Sequence, residues 1–360
     1  MRQYAVARLA AVGGIQAARQ RHALAFLGLA QAEHQPGVLA RDLDNFRGAL
    51  QWSLSRHDES GPRLALALGG FWLARGLLQE GRGWLERALT RPVTDQRLRA
   101  ELLRVLGTLL YEAGDLNQAY AVLAEGAEVA AAAGAPVLRA RICVLLTEMY
   151  DLRDGTIAEA LEECRAATTV LESAGDPAGL AEGWLQTGTL ELWLGDPAAA
   201  QSLERAIFYA RQAGNHGARI QASYRLIMSF TQLPIPADAA IARAEQLLQD
   251  LRGEEPAEAR LLPPLSLLYA YAGRLAEARA ASARCRSLLT ASGARLALAR
   301  RPSGPVLSSW PPATLPRRSA AGGKGMRHSA RWANAGIAAP SPPCSPKPCT
   351  CKGASMMRSR

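Results

Sequence analysis

The side chains that most often carry chemistry are thinly spread in this chain. Its five histidines, His22, His34, His57, His216 and His328, are far apart. None stands in an H-E-x-x-H arrangement, which would put two imidazoles and a general base on one helical face. No G-x-S-x-G is present to hold a nucleophilic serine on a strained turn. Gly322-Gly323-Lys324-Gly325 has the small residues and the lysine of a phosphate cradle. No hydroxyl follows that lysine to reach a magnesium ion, and no strand pattern precedes it. Cys344, Cys349 and Cys351 lie at spacings that fit no zinc pair, with prolines among them and no histidine close by. Glu159, Glu162 and Glu163 share one face of a helical stretch, where they read as a solvated surface rather than as an acid and a base. The expectation is a protein that is not an enzyme, with no catalytic residue, no metal ligand set and no cofactor.

What remains is architecture. Hydrophobic residues make up 49% of the chain, enough for a core, while aromatics are only 6% and β-branched runs are scarce, so helices are expected and a large sheet is not. No apolar run reaches the ~18 residues of a membrane span, and the first residues lack a secretory apolar region with a cleavage site. Six cysteines without pairing logic fit a reducing compartment. These features predict a cytoplasmic location and no membrane contact.

The stretch from Arg63 to Leu89 sets the pattern. Leu64, Leu68 and Trp72 recur every four residues, and Leu77, Gly81, Trp84, Leu85 and Ala88 step by threes and fours. Each set forms one helical stripe, and Gly76 between them is suited to a helix end with positive φ. Trp84 is expected to anchor the core where one unit meets the next. The same punctuation then returns, a glycine followed five residues on by a small residue: Gly76/Gly81, Gly114/Ala119, Gly155/Ala160, Gly195/Ala200 and Gly273/Ala278. The intervals are 38, 41, 40 and then 78 residues, the last being two units with a degenerate turn at Pro234-Ile235-Pro236. A second glycine falls about twenty residues after most inner turns, at Gly134, Gly175, Gly214 and Gly293. About six helix pairs with a period near 40 residues predict a stacked solenoid. Residues 1–60 lead in with helical stretches at Tyr4–Ala11, Ile15–Ala32 and Val38–Leu54, the repeats occupy 61–298, and 299–360 follow as a separate tail.

The units resemble tetratricopeptide repeats. Seven residues before the inner turn, that family's small first-helix position is filled by Gly69, Gly107 and Gly188; Trp184 matches its early aromatic, and Ala119, Ala160, Ala200 and Ala278 match its small second-helix residue. The period is longer than the family's, and its closing proline is mostly missing. A second resemblance rests on three blocks: Leu43-Asp44-Asn45-Phe46-Arg47-Gly48-Ala49-Leu50-Gln51-Trp52, Phe71-Trp72, and Glu80-Gly81-Arg82-Gly83-Trp84-Leu85-Glu86-Arg87-Ala88-Leu89. They are similar to the repeat arms of bacterial signal-transduction ATPase transcriptional regulators. In that family the block follows an ATPase module and a winged-helix segment ending in something like Arg2-Gln3-Tyr4-Ala5. The resemblance implies an all-α right-handed solenoid that binds and senses without catalysis, in a chain that begins where the family's ATPase module ends. The other reading is a free-standing repeat scaffold joining other proteins.

In the repeat family the first helix of each unit lines the concave surface. Carried across by register, that surface takes Glu101, Arg104, Thr108 and Tyr111 from one unit, Arg141 and Glu148 from the next, then Glu182, Thr189 and Trp193, then Arg225, Ser229 and Gln232. This mixed polar, aromatic and cationic lining suits a protein or peptide segment or a small effector.

The formal net charge of +10 misleads about partners. From Ala278 to Arg360 there is no Asp or Glu against 15 Lys and Arg, so the rest of the chain, with 27 basic and 32 acidic residues, carries −5. No specific nucleic-acid contact is therefore expected of this chain. Ten of the 21 prolines fall between Pro302 and Pro348, in sequence without an apolar stripe, which predicts disorder. The pattern breaks inside a helix near Leu298 rather than at a turn, which suggests a frameshift in GC-rich coding DNA near codon 299; the rival reading is a genuine basic, disordered tail. Translating the other two frames beyond that codon should recover further 40-residue units with Gly-x-x-x-x-Ala turns. Early stop codons in both frames would refute the frameshift.

Overall fold

The computed structural model of the protein describes residues 14–291, apart from 33–35, 57, 92 and 154. Among the described residues there is no strand. The helix expected at Tyr4–Ala11, the turn at Gly293 and the tail from residue 299 lie outside them.

Three short elements lead in: α1 (Ile15–Ala32), α2 (Pro36–Leu39, continued by a 3-10 turn at Ala40–Asp42) and α3 (Leu43–Ser53). Phe46, fully buried on α3, meets Phe26 of α1 edge-on at 5.1 Å. Six helix pairs follow. The first has a broken first helix, α4 (Ser60–Ala67) and α5 (Gly69–Arg75), and then α6 (Leu78–Leu89). The others are α7 (Gln96–Ala113) with α8 (Leu116–Ala132), α9 (Pro136–Leu146) with α10 (Ile157–Ala174), α11 (Pro177–Trp193) with α12 (Ala199–Gln212), α13 (His216–Gln232) with α14 (Ala237–Asp250), and α15 (Glu255–Tyr271) with α16 (Leu275–Ala291).

Turn chemistry repeats with the units. Gly76, Gly114, Gly195 and Gly273 end first helices at φ between 66° and 84°, a region that only glycine enters cheaply. At Gly114 the glycine N–H donates to Tyr111 O and the next N–H, of Asp115, to Leu110 O, closing the last turn as a Schellman motif. The third unit departs from the expectation. The first helix leaves α geometry after Leu146 and continues as a 3-10 stretch, Thr147–Arg153, with a kink at Met149 (φ −116°, ψ 31°), and the Gly155 N–H donates back to Tyr150 O at 3.0 Å. The buried Thr147 hydroxyl donates back to Val144 O at 2.6 Å, a local bond that competes with the helical ladder.

The two helices of a unit approach closely because a β-carbon is missing. One built at Gly107 would lie 2.4 Å from Cγ of the buried Leu123, and one at Gly188 would lie 2.7 Å from Cγ of Leu203. Between units the same holds at Gly69, 2.6 Å from Val105. Trp72, 1% exposed, lies against Gly81 and is the larger of the two buried aromatics of the first pair, beside Phe71. Trp84, expected in that role, is half-buried with the Arg87 guanidinium 4.5 Å over its ring, because the space beneath α6 is already taken by Trp72.

First helices of successive units pack on one another all along the array: α4 on α7, α7 on α9, α9 on α11, α11 on α13 and α13 on α15. The second helices share no comparable contact, so the first-helix layer is the tighter, inner one. Arginines tie this layer from unit to unit. Arg63 reaches Asp95, the N-cap of α7, at 3.5 Å; Arg141 grips Asp176, the N-cap of α11, through two 2.5 Å bonds; Arg219 meets Glu254, the N-cap of α15, at 3.1 Å. The two junctions between them have uncharged N-caps, Ala135 and Asn215.

The close approach is open to test. Gly107→Ala should lower stability by about 1–3 kcal/mol through overpacking, despite alanine's better helix propensity. Gly83→Ala, where nothing lies within 4 Å, should raise stability by about 0.4–1 kcal/mol. Urea midpoints separate the two, and a gain at both would mean the helix spacing is not set by the glycine.

Candidate functional site: the inner face of the first helices

On α7, Glu101, Arg104, Thr108 and Tyr111 form one half-buried stripe. Thr108 donates to its own helix at Arg104 O (2.9 Å), and Glu101 faces Arg97 at 3.6 Å. The Arg104 Nε is buried and makes no hydrogen bond. Arg141 on α9 is committed to Asp176, where burial pushes the carboxyl up but the guanidinium and the N-cap N–H groups outweigh it and hold it below the ordinary range. Glu148 comes from the kinked 3-10 stretch, and Glu182 and Trp193 from α11.

Two expected lining residues are corrected. Thr189 is 4% and Ser229 0% exposed, and each hydroxyl donates to a carbonyl of its own helix, Leu185 O and Leu226 O. Both are short side chains in the layer where successive first helices meet, so they are covered and do not line an open surface. Gln232 is exposed at the end of α13.

The remaining residues converge from four successive units. Tyr111 and Glu148 lie close enough to act on each other, and Arg225 of α13, three units on from Tyr111, acts on both. Arg225 also lies 5.9 Å over the Trp193 ring, whose other neighbour is Tyr150, at 6.3 Å. Glu182 feels Arg104, Arg141 and Asp176, and Glu148 feels Glu182. The inner face is thus one electrostatic surface rather than four separate ones.

Burial raises the Glu148 and Glu182 carboxyls above the ordinary range; the Tyr111 phenol and Arg225 only partly offset it for Glu148, as Arg104 and Arg141 do for Glu182. The Tyr111 phenol is pushed up by burial and by the charge of Glu148.

Sequence reasoning missed Gln186, which falls at i+4 from Glu182 on the stripe that continues to Thr189 and Trp193. It is 5% exposed and its amide nitrogen has no partner. The spacing alone could have found it. Asp176 was also legible, since Gly175-Asp176-Pro177 has the form of an N-cap ahead of a first-turn proline. At the same register on α15, 78 residues on from Thr189 and Trp193, stand Leu267 and Tyr271, 38% and 58% exposed.

No protein-family model matches the chain, and no curated protein sequence matches it. Solved structures do. The apo form of RapI superposes at a TM-score of 0.55 with 11% identity, over 74% of this chain and 98% of that one. The fold is that of a tetratricopeptide-like repeat protein. A Rap protein complexed with Competence and Sporulation Factor matches at 0.51 with 14% identity, covering 77% of this chain and 79% of the other. Aspartyl phosphate phosphatase F from Bacillus subtilis matches at 0.51 with 13% identity, over 74% and 68%. At these identities the likeness establishes the helix-pair solenoid and nothing of activity. Among the described residues no helix is long and apolar enough to cross a membrane.

The raised carboxyls have a consequence for stability. A folded-state pKa above the unfolded value means that the folded chain binds the extra proton, so stability falls as pH rises through the raised value. The contribution is fully present below the unfolded Glu pKa of about 4.3. Glu182→Gln should therefore stabilise the protein more at pH 7 than at pH 4, measured by urea unfolding at both. Equal effects at the two pH values would show that the carboxyl is not held in a desolvated place.

Proposed function

We propose that this chain is the non-catalytic, partner-binding and effector-sensing repeat arm of an ATPase-type bacterial transcriptional regulator. The observation that carries the binding role is the convergence of Tyr111, Glu148, Glu182, Trp193 and Arg225 from successive first helices onto one inner surface. Charged and aromatic groups there are half-buried, and several are unpaired. Such groups are costly to maintain for folding alone, and they suit a surface that is completed by a ligand. A protein of the same fold was solved in complex with Competence and Sporulation Factor, which supports a protein or peptide segment as the class of ligand. The regulatory context is supported by the Asp44–Leu89 block, similar to that regulator family, and would be strengthened by a nucleotide-binding module in the coding sequence upstream. A catalytic role lacks support: the unpaired groups include no nucleophile–base pair, although one neighbour in fold bears the name of a phosphatase.

The test is capture of partners from a bacterial lysate by the full chain, compared with Arg104→Ala and Tyr111→Phe. Both variants should lose partner by about tenfold, the order expected of 1–2 kcal/mol at a contact residue. Their melting temperatures should stay close to that of the parent chain. Parallel loss of folding and capture would return these residues to the core, and undiminished capture would place the binding surface elsewhere.

A further inference from the structure

Each first helix of the array turns one stripe toward the next unit. On α11 that stripe is Leu185, Thr189, Leu192 and Trp193. Leu192 is 4% exposed and clusters with Leu233 of the following unit, Leu185 packs against the apolar cluster that runs from Leu203 to Cys285, and Arg225 of α13 lies 5.9 Å over Trp193. The same positions of α15, 78 residues on, are Pro263, Leu267, Ala270 and Tyr271, and all four are exposed. Leu267 shows 38% and Tyr271 58% of its surface, and Leu275, at the start of α16, shows 53%. Among the described residues nothing takes the place on α15 that α13 takes on α11.

A group of large apolar side chains, a few hundred Å² together, marks a contact surface rather than scattered exposure. Its chemistry suits another copy of itself. No residue from Pro263 to Tyr271 is charged. Arg274, just beyond, is held by Glu277 at 2.9 Å and Glu245 at 3.7 Å, so a like surface meets no unbalanced charge. The other end of the described array offers no match: α1 exposes Arg19, Gln20 and Arg21, with Leu24 as one large apolar side chain among them. Head-to-tail stacking would set the apolar stripe on these arginines. Two copies meeting stripe to stripe bury apolar surface on apolar surface instead.

We infer that this chain self-associates through α15, with a second copy lying antiparallel on the stripe about a two-fold axis beside position 269. Such an axis sets Leu267 of each copy against Tyr271 of the other, since the two stand equally far on either side of it. Ala270, next to the axis, lets the helices approach, and their dipoles run in opposite directions. The contact continues the first-helix stacking of every junction in the array onto a helix of a second molecule. It is independent of the binding role of the inner face. The stripe falls short of the ~800 Å² that each partner gives to a standard interface, so the dimer is weak, with a dissociation constant of the order of 10–100 μM.

The test is sedimentation equilibrium of the full chain in reducing buffer, so that no disulfide joins copies, from about 5 to 500 μM, the range that brackets that constant. The parent chain should pass from monomer to dimer across it and go no further. Leu267→Lys and Tyr271→Glu should each weaken association at least about tenfold, the effect of a charge set against an apolar contact, with melting temperatures unchanged because both side chains are exposed. An equimolar mixture of the two should regain association to within about threefold of the parent, because one Lys–Glu and one Leu–Tyr contact then form across the axis. Leu24→Lys, at the other end, should change nothing. A parent chain that stays monomeric would leave the stripe to a different occupant and overturn the inference. So would a dimer that survives in folded Leu267→Lys, or growth beyond the dimer, which would mean head-to-tail contact. A mixture that does not reassociate would overturn the antiparallel pairing.

Discussion

The spacing of the helices depends on a β-carbon that is not there. At Gly107 and Gly188 a leucine from the second helix of the unit occupies the space an alanine methyl would need, and at Gly69 a valine from the next unit does so. Leu123 and Leu203 are fully buried as a result. With the pairs drawn together in this way, the small, close-packed first helices can touch from unit to unit. The second helices, held outside, do not. Curvature follows from that difference in width, and curvature puts side chains of the second unit within electrostatic reach of the fifth.

A concave surface changes the physics of ordinary residues. A glutamate on a convex helix would be hydrated and unremarked; Glu148 and Glu182 have protein on several sides and lose much of that water, so their carboxyls rise. The kink at Met149 contributes directly, since it lies in the 3-10 stretch that carries Glu148 out of regular α-helix. The inner face thus combines a rigid scaffold, made by apolar packing outside it, with charges that the scaffold does not satisfy.

Much of this was legible beforehand because repetition amplifies weak signals. One Ala-Gly is ambiguous, but Gly114, Gly195 and Gly273 at related intervals fix both the turn and the helix direction, and the first-helix stripe follows from counting back. The kinked third unit was hidden, because Gly155 imitates the inner-turn glycine while the backbone bends earlier, at a threonine whose sequence context is unexceptional. Thr189 and Ser229 were misplaced because helical register gives the direction of a side chain but not the distance to the neighbouring helix that covers it. Trp84 failed as an anchor for a related reason: two tryptophans shared an apolar neighbourhood, and only packing decides that Trp72 takes the buried place. Gln186 lay in plain sight on a stripe whose other members had been read.

The arginine ties at Asp95, Asp176 and Glu254 occur at every second junction, and the junctions between are closed by uncharged caps. The correspondence goes further: Asp95 and Asp176, Glu101 and Glu182, Gly107 and Gly188, and Thr108 and Thr189 are each 81 residues apart. The chain therefore repeats itself over a block of two helix pairs. Gene duplication that copies such a block carries arginine, acid and groove residue together, whereas gain or loss of a single pair leaves one charge of a tie without its mate.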